Sequence, residues 1–494
     1  MVGSNHSAGN GTHGVRRSQT QTVVRHAFET FLTVPTAVVA AFLLLFFVSN
    51  ALDRQRPGWL EPLHQLLQAH IFADSDSSTQ VLSAIAGGMI TVTSITFSLL
   101  LVVLQQSAGS MTHAVFDQFL RRYLNQIYAG WFIGMTLFTL ITLATVGQEF
   151  NPVYGATLSL LFAVSALYVL LLLIYSAIEQ MRPSSILESI HDHTLQARER
   201  QKPLLQRTRR RSQGTGSARG TVRASTDGFV VAIDLDAIAT ALRHAPGVEV
   251  VLRLSIGAYA AFCDPLAEVR AGPADDVESL IEAVGPAIRL ERERDLDRDP
   301  AFGIEQIETI AWTTISTSKQ DPNPGLEAVR NLRDLLARWA VDDYDGEASS
   351  DQRLAVVYPD DVMERLLGTI ESMTVVASES MQHHVYADVL RGFAATLDRL
   401  PSPLAKRVEE VVLRSLAGLG DHVLSAELDD ALTAVAQALE QSSLIEGAEA
   451  VRSAHSELAA TVGVLNSRST RVARRRESPN HGREGPDYSG SAYR

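Results

Sequence analysis

Few residues in this 494-residue chain have the type and spacing that chemistry needs. Ser83, Gly87, Thr91, Ser94 and Ser98 recur at steps of 4, 4, 3 and 4 inside an uncharged apolar stretch, and Gln105 continues the register one heptad further. On a helix that spacing gathers them on one face. Small and hydroxyl residues let membrane helices approach closely, and each hydroxyl can bond back to the preceding turn. The same face also suits the wall of a water-filled pathway, where hydroxyls replace part of an ion's hydration shell. A second set is Arg294, Asp299 and Asp321. Arg294 can pair with either carboxylate, and Asp321 precedes Pro322, where the chain must turn. This set reads either as a buried ion pair with a helix-capping Asp or as a ligand site that reports to the membrane helices. The third is the basic cluster Arg207, Arg209, Arg210 and Arg211. It suits anionic lipid headgroups, at about 1 kcal/mol per charge near the surface, or serves only as a topology determinant.

The remaining candidates fall away. His191 and His193 point about 200° apart on a helix, so they cannot share a metal. His383 and His384 are adjacent and face different directions, and both pairs read as surface histidines. Gly214-Thr-Gly216 lies in a basic Gly/Ser/Thr-rich stretch rather than between a strand and a helix, so it is no phosphate loop. Cys263 is the only cysteine, which excludes an intrachain disulfide framework. No P-loop, GxSxG, HExxH or CxxC occurs, and no nucleophile stands in register with a base. No metal, no cofactor and no catalytic residue is expected, and the chain is not read as an enzyme.

The elements that position these residues follow from an uneven composition. The average of 46% hydrophobic and 20% charged residues hides a partition, with apolar residues crowded into the first 180 positions and charges into the rest. Four stretches reach the roughly 20 apolar residues that a bilayer requires. They are Thr30–Leu52, a helix at about Val81–Leu104 that continues past the membrane face, Ile127–Val146 and Tyr154–Ile178. Thr30–Leu52 exceeds a signal-peptide h-region and lacks a small-residue cleavage site, so it should remain as a helix. Arg16, Arg17 and Arg25 precede the first span, Arg121 and Arg122 separate the second from the third, and Arg182, Arg198 and Arg200 follow the fourth. The acid-rich flanks alternate with these, which places both termini in the cytoplasm of a bacterial inner membrane. No Asp, Glu, Lys or Arg lies inside an expected hydrocarbon segment, which disfavours ion-coupled carriers.

After the spans, residues 203–227 read as a flexible basic linker. Short strands are expected at Gly228–Asp234, Val248–Leu254, Ala258–Phe262 and Leu266–Arg270, with Asp234 or Asp236 capping a helix over Ala237–Arg243. Gly257, Pro265, Leu266 and Val269 have the spacing of biotinyl- or lipoyl-type modules, but no lysine occupies the turn. From Asp275 the periodicity is helical, with Glu409, Glu410 and Arg414 expected to pair on an exposed face. The net charge of −13 disfavours nucleic acid as a partner.

Three segments resemble one family. Gly88-Met-Ile-Thr-Val-Thr-Ser-Ile-Thr-Phe-Ser-Leu-Leu-Leu-Val-Val-Leu-Gln-Gln106 is similar to its second span, and Gly228-Phe-Val-Val-Ala-Ile-Asp-Leu-Asp236 to its opening strand. Arg294, Asp299, Phe302, Gly303, Ile310, Ala311, Ser316, Asp321 and Pro322 match its longest signature. The family is the bacterial predicted membrane proteins with domain of unknown function number twenty-two fifty-four, and the resemblance covers roughly residues 30–400. The chain departs from its pattern at Gln320, at Pro324-Gly325 and around His113-Ala114. The resemblance implies four spans followed by a cytoplasmic domain, with no established activity.

The expected fold class is therefore a mainly α membrane protein, with four transmembrane helices followed by an α+β domain made of a small β module and a helical bundle. Its divisions are an N-terminal tail (1–27), a membrane domain (28–182), a basic linker (183–227), a β module (228–272), a helical domain (273–466) and a disordered basic tail (467–494). Two functional readings stand. One is a homo-oligomeric channel-like protein in the lipid bilayer, gated by its cytoplasmic domain. The other is a membrane-anchored sensor or scaffold whose cytoplasmic helices bind a protein partner.

Overall fold

The computed structural model describes residues 32–55, 57–70, 72, 74–110, 123–147, 150–180, 182–213, 216–272, 277–316, 322–342, 353–419 and 422–460. The expectations for residues 1–27 and 467–494 and for Asp321 lie outside them. The chain divides into two compact units, Met1–Ser189 and Ile190–Arg494.

In the N-terminal unit, helices α1 (Thr33–Gln55), α3 (Ser75–Ser110), α4 (Tyr123–Thr145) and α5 (Val153–Gln180) correspond to the four expected spans, and each is long and apolar enough to cross a membrane. The second is one continuous helix of 36 residues, as its uncharged length suggests. A short helix without a sequence-based expectation, α2 (Glu61–His70), lies between the first two. The core is aromatic and thioether-rich: Phe42, Phe46, Met89, Phe132, Met135 and Phe138 are buried together. Phe42 sits edge-on to Trp131 and Phe162, each at 5.2 Å between ring centres, in the geometry that ring quadrupoles favour. A Cβ on Gly134 would overlap the Phe42 ring, and one on Gly130 would lie 2.8 Å from the Pro35 backbone. These two glycines let α1 and α4 close on each other.

The buried Asp53 carboxylate, in the last turn of α1, accepts from the Tyr154 and Gly155 amides at 2.9 and 3.1 Å. It thereby satisfies donors that the start of α5 cannot pair within its own helix. Tyr154 also donates its hydroxyl to the Leu60 carbonyl at 3.0 Å, and its ring meets that of buried His64 in α2.

The second unit begins within α6 (Pro183–Arg207). Two small sheets follow. Their strands are β1 (Ser217–Arg223), β2 (Gly228–Ile233), β3 (Glu249–Leu252), β4 (Tyr259–Ala260), β5 (Pro265–Ala271), β6 (Ile288–Glu291) and β7 (Val356–Val357). One sheet has the order β1-β5-β3-β7, antiparallel except for the parallel β3–β7 pair, and the other is antiparallel in the order β4-β2-β6. Helix α7 (Leu235–Arg243) and helix α8 (Glu278–Ala287) cover them, burying Val230, Ile238, Val250, Leu266, Leu280 and Val284 in one core. Asp234 caps α7 as expected, accepting from the Asp236 and Ala237 amides at 3.0 Å each.

Two expectations need correction here. Residues 183–227 are not a linker: Pro183–Arg207 is a helix and Ser217–Arg223 is a strand. The helix buries Ile190, Thr194, Ala197, Arg198, Gln201 and Leu204, a stripe at helical spacing that its charged residues obscure. The strand is an edge whose side chains are exposed apart from Val222 and half-buried Gly220, so it carries almost no apolar signal. The sheets also extend beyond 228–272, recruiting β1, β6 and the distant β7.

The rest is helical: α9 (Pro300–Ser316), α10 (Asn323–Asp342), α11 (Val362–Glu379), α12 (His383–Ala394), α13 (Ser402–Leu419), α14 (Ala426–Gln441) and α15 (Ile445–Ala460). Helix α9 packs on α10 and α11, and the array continues through α12 and α13 to α14 and α15. Pro324 sits in the first turn of α10, where proline costs least.

Candidate functional site

On α3 the expected stripe is real and faces outward. Ser83, Gly87, Thr91, Ser94 and Ser98 are all exposed, whereas Leu82, Ala86, Met89 and Thr96 on the opposite side are buried. Thr91 Oγ1 donates to the Gly87 carbonyl at 3.0 Å and Ser94 Oγ to the Ile90 carbonyl at 2.9 Å. A Cβ placed on Gly87 would meet nothing within 4 Å. Within one copy of the chain, and among the described residues, the stripe packs no helix. That role falls to Gly130 and Gly134 of α4 and to the Thr93–Thr136 hydroxyl pair, 3.0 Å apart between α3 and α4. Gln105 lies on the same helix, but its side chain is outside the described residues.

In the second unit Arg294 and Asp299 meet as expected. Arg294 Nε donates to Asp299 Oδ2 at 2.7 Å, with side chains 9% and 3% exposed. Asp299 Oδ1 accepts from the Phe302 amide at 3.0 Å, so it also caps the start of α9. Burial pushes the Asp299 carboxyl above its ordinary value, against the opposing pull of Arg294 and the Phe302 amide. The Arg294 guanidinium stacks 4.7 Å over Phe302 and also donates to Glu305. Glu305 accepts in turn from Arg365 at 3.1 Å, and Arg365 holds Asp361 at 2.8 Å. The result is an alternating chain of charges joining the segment after β6 to α9 and α11. Gly257, at φ +89°, is wedged against the Asp299 carboxylate, so a Cβ there would overlap it. Gly303 likewise fits against Thr194 of α6. The geometry is that of a structural ion network with a capping carboxylate.

The basic cluster has partners inside the protein. Arg207 Nη2 reaches Asp236 at 2.6 Å, and half-buried Arg209 lies 3.5 Å from the buried Glu249 carboxylate. Glu249 also accepts from Ser212 Oγ and from the Gln213 amide at 3.1 Å. The Arg209 backbone itself pairs with Val356 and Tyr358. Arg210 and Arg211 are exposed.

Sequence reasoning missed one deeply buried charge. Arg198 of α6, 2% exposed, makes a two-pronged pair with Asp360 at 2.8 Å on each arm, and its guanidinium lies 5.7 Å over Trp339. Tyr358, two residues before Asp360, accepts from the Ile256 amide at 3.0 Å, and burial raises its phenol far above its ordinary value. In sequence Arg198 looks like one more topology-setting cation; only its place on the buried face of α6 distinguishes it.

The histidine expectations change too. His191 is largely buried against Asp334 at 2.9 Å, and His422 is fully buried. His422 Nδ1 is 2.7 Å from half-buried His383 Nδ1, and its Nε2 is 3.0 Å from Ser378 Oγ. The Ser378 hydroxyl donates to the Gly418 carbonyl at 3.0 Å, so the His422 Nε2–H is the donor to that oxygen. The expected Glu409, Glu410 and Arg414 pairing is also replaced: Glu409 is buried and accepts from the Gly447 amide, Glu410 pairs with Arg407, and Arg414 grips Glu371 with two 2.6 Å bonds. No group of three metal-ligating side chains occurs among the described residues.

No curated protein and no solved structure matches the chain. A family does: the four apolar helices, the β2 strand and the Arg294–Asp299 network all fall within residues 29–389, which match the family described as predicted membrane protein (DUF2254), and the chain belongs to that family.

Proposed function

We propose that the protein acts as a homo-oligomer in a bacterial inner membrane, with the outward face of α3 lining a polar pathway between copies. The observation that carries this reading is the stripe itself. Five residues at helical spacing on a membrane-length helix present hydroxyls and glycine outward, interspersed with exposed Ile90, Ile95, Phe97 and Leu101. Because Thr91 and Ser94 spend their hydrogens on their own backbone, their remaining lone pairs face away from the helix. Such a surface accepts hydrogen bonds from water and coordinates cations. Four spans are too few to enclose a pathway alone, which is why several copies are required. The basic flanks support a cytoplasmic side for both termini and the C-terminal unit, which in this reading gates the pathway.

A second reading, a membrane-anchored sensor or scaffold, draws on exposed Val375 of α11 and Leu413 of α13 as a surface for a protein partner.

Ion flux through purified protein in liposomes tests the two. The channel reading expects flux that Thr91→Leu and Ser94→Leu abolish while oligomer size stays unchanged. Absence of flux across salts, voltages and membrane tensions overturns it and favours the scaffold.

A further inference from the structure

A cavity of about 370 Å³ opens in the C-terminal unit among α6, β2 and the start of α7. This lies within the range of small-molecule sites, toward its lower end. The apolar part of the wall is made by Leu204, Val231, Ile233 and Ile256, and three guanidiniums, of Arg200, Arg207 and Arg298, border it. Their side chains are 53%, 43% and 52% exposed. Each guanidinium carries five N–H donors. Arg200 spends one on a neutral acceptor, the Asp297 carbonyl at 2.6 Å, and approaches the Asp297 carboxylate only to 3.6 Å. Arg298 comes no nearer than 3.6 Å to Asp295, beyond hydrogen-bond reach, and Arg207 donates from Nη2 to Asp236 at 2.6 Å. Of the two carboxylates in the wall, Asp234 is committed to capping α7, and Asp236 is 83% exposed to solvent.

We propose that this cavity binds a small organic phosphate, with the phosphate held by Arg200 and Arg298 and the apolar body of the ligand on Leu204, Val231 and Ile256. Guanidinium forks match phosphate oxygens in geometry and charge, and the apolar wall gives the site a preference for an esterified phosphate over the inorganic ion. Helix α6 supplies Arg200, Gln201, Leu204 and Arg207 to the wall and also carries Arg198, whose guanidinium is locked on Asp360. It begins at Pro183, three positions along the chain from the end of α5 at Gln180. The site stands whether or not the spans conduct. Its ligand has two sources, a soluble nucleotide or a phospholipid headgroup.

The test is hydrogen exchange on the full chain, followed over residues 200–207 and 231–236. One arm titrates adenosine monophosphate into protein in maltoside micelles; the other places the protein in phosphatidylglycerol nanodiscs without nucleotide. Each arm is run with the unaltered chain and with the Arg200→Ala/Arg298→Ala variant, whose exposed side chains make it a mild change to the fold. Protection of both segments that weakens in the variant supports the site, and the arm in which it appears identifies the source. In the nucleotide arm the variant's affinity should fall about tenfold to a hundredfold, the loss expected for charge-assisted bonds to phosphate. No protection with either probe, or protection equal in the two proteins, overturns the proposal. A thermal melt of the variant matching the unaltered chain shows that the comparison reports binding rather than unfolding.

Discussion

Removing one half of the Arg198–Asp360 pair should open α6. The two side chains are 2% and 10% exposed and joined by two 2.8 Å bonds, so neither charge can turn to water when its partner is lost. Breaking such a pair from one side costs about 3–5 kcal/mol, because a charge is stranded in the interior. In Asp360→Asn the stranded group is the guanidinium; in Arg198→Met it is the carboxylate. At 1.4 kcal/mol per tenfold, either change should raise the opening equilibrium of α6 by about 150-fold to 4,000-fold. Amide hydrogen exchange across residues 190–204 reads this directly, since protection reports the free energy of local opening.

The double variant Arg198→Met/Asp360→Asn is the decisive control. It strands no charge, so its protection should lie closer to the unaltered chain than that of either single variant, with a coupling energy of about 1–3 kcal/mol. Strictly additive losses would falsify the idea that the two groups act as a pair. The contact of Arg198 with Trp339, 5.7 Å from guanidinium carbon to ring centre, is lost in Arg198→Met but kept in Asp360→Asn. Arg198→Met should therefore also shift the Trp339 fluorescence, and Asp360→Asn should not.

Gly257 and Gly247 both sit at left-handed φ, +89° and +92°, but a Cβ meets the Asp299 carboxylate at the first and open space at the second. Gly247→Ala should cost about 1 kcal/mol of backbone strain and Gly257→Ala about 1–3 kcal/mol more, read by thermal denaturation; equal losses would mean that Asp299 yields freely. Asp53→Asn should destabilise the membrane unit by about 1.5–3 kcal/mol, because a neutral amide replaces a buried carboxylate that takes two α5 amides. Melting in detergent checks this, and an unchanged midpoint would show that the cap is dispensable.

What could be read from the sequence was what depends on neighbours along the chain. The spans announce themselves by length and hydropathy, and the α3 stripe by a period that the helix converts into one face. Asp234 capping α7 is equally local: a side chain two and three residues from the amides it binds. Helix α6 and strand β1 failed for a related reason. In α6 the inward stripe interleaves Thr194, Arg198 and Gln201 with Ile190, Ala197 and Leu204, and in β1 it is Val222 alone, so the amphipathic pattern is only partly written in apolar letters.

Partners in the charge network are a different kind of information. Arg294 and Asp299 are five residues apart and could be proposed as a pair; Arg198 and Asp360 are 162 apart and could not. The same holds for His383 with His422 and for Arg414 with Glu371, each bridging antecedent and following helices rather than turns of one helix. A charged residue in sequence is ordinarily read as solvated, because burying it alone is prohibitive. Burial becomes tolerable only when the fold delivers an opposite charge with its hydrogen bonds already aligned. The stretch Tyr358–Asp361 shows the consequence. Within four residues it meets Ile256 through Tyr358, Arg198 through Asp360 and Arg365 through Asp361, and it follows the short strand that pairs with β3. Its composition gives no hint of that convergence, since two aspartates after Tyr-Pro look like a surface turn. Only the delivered partners make it the place where α6, the sheets and α11 are held together.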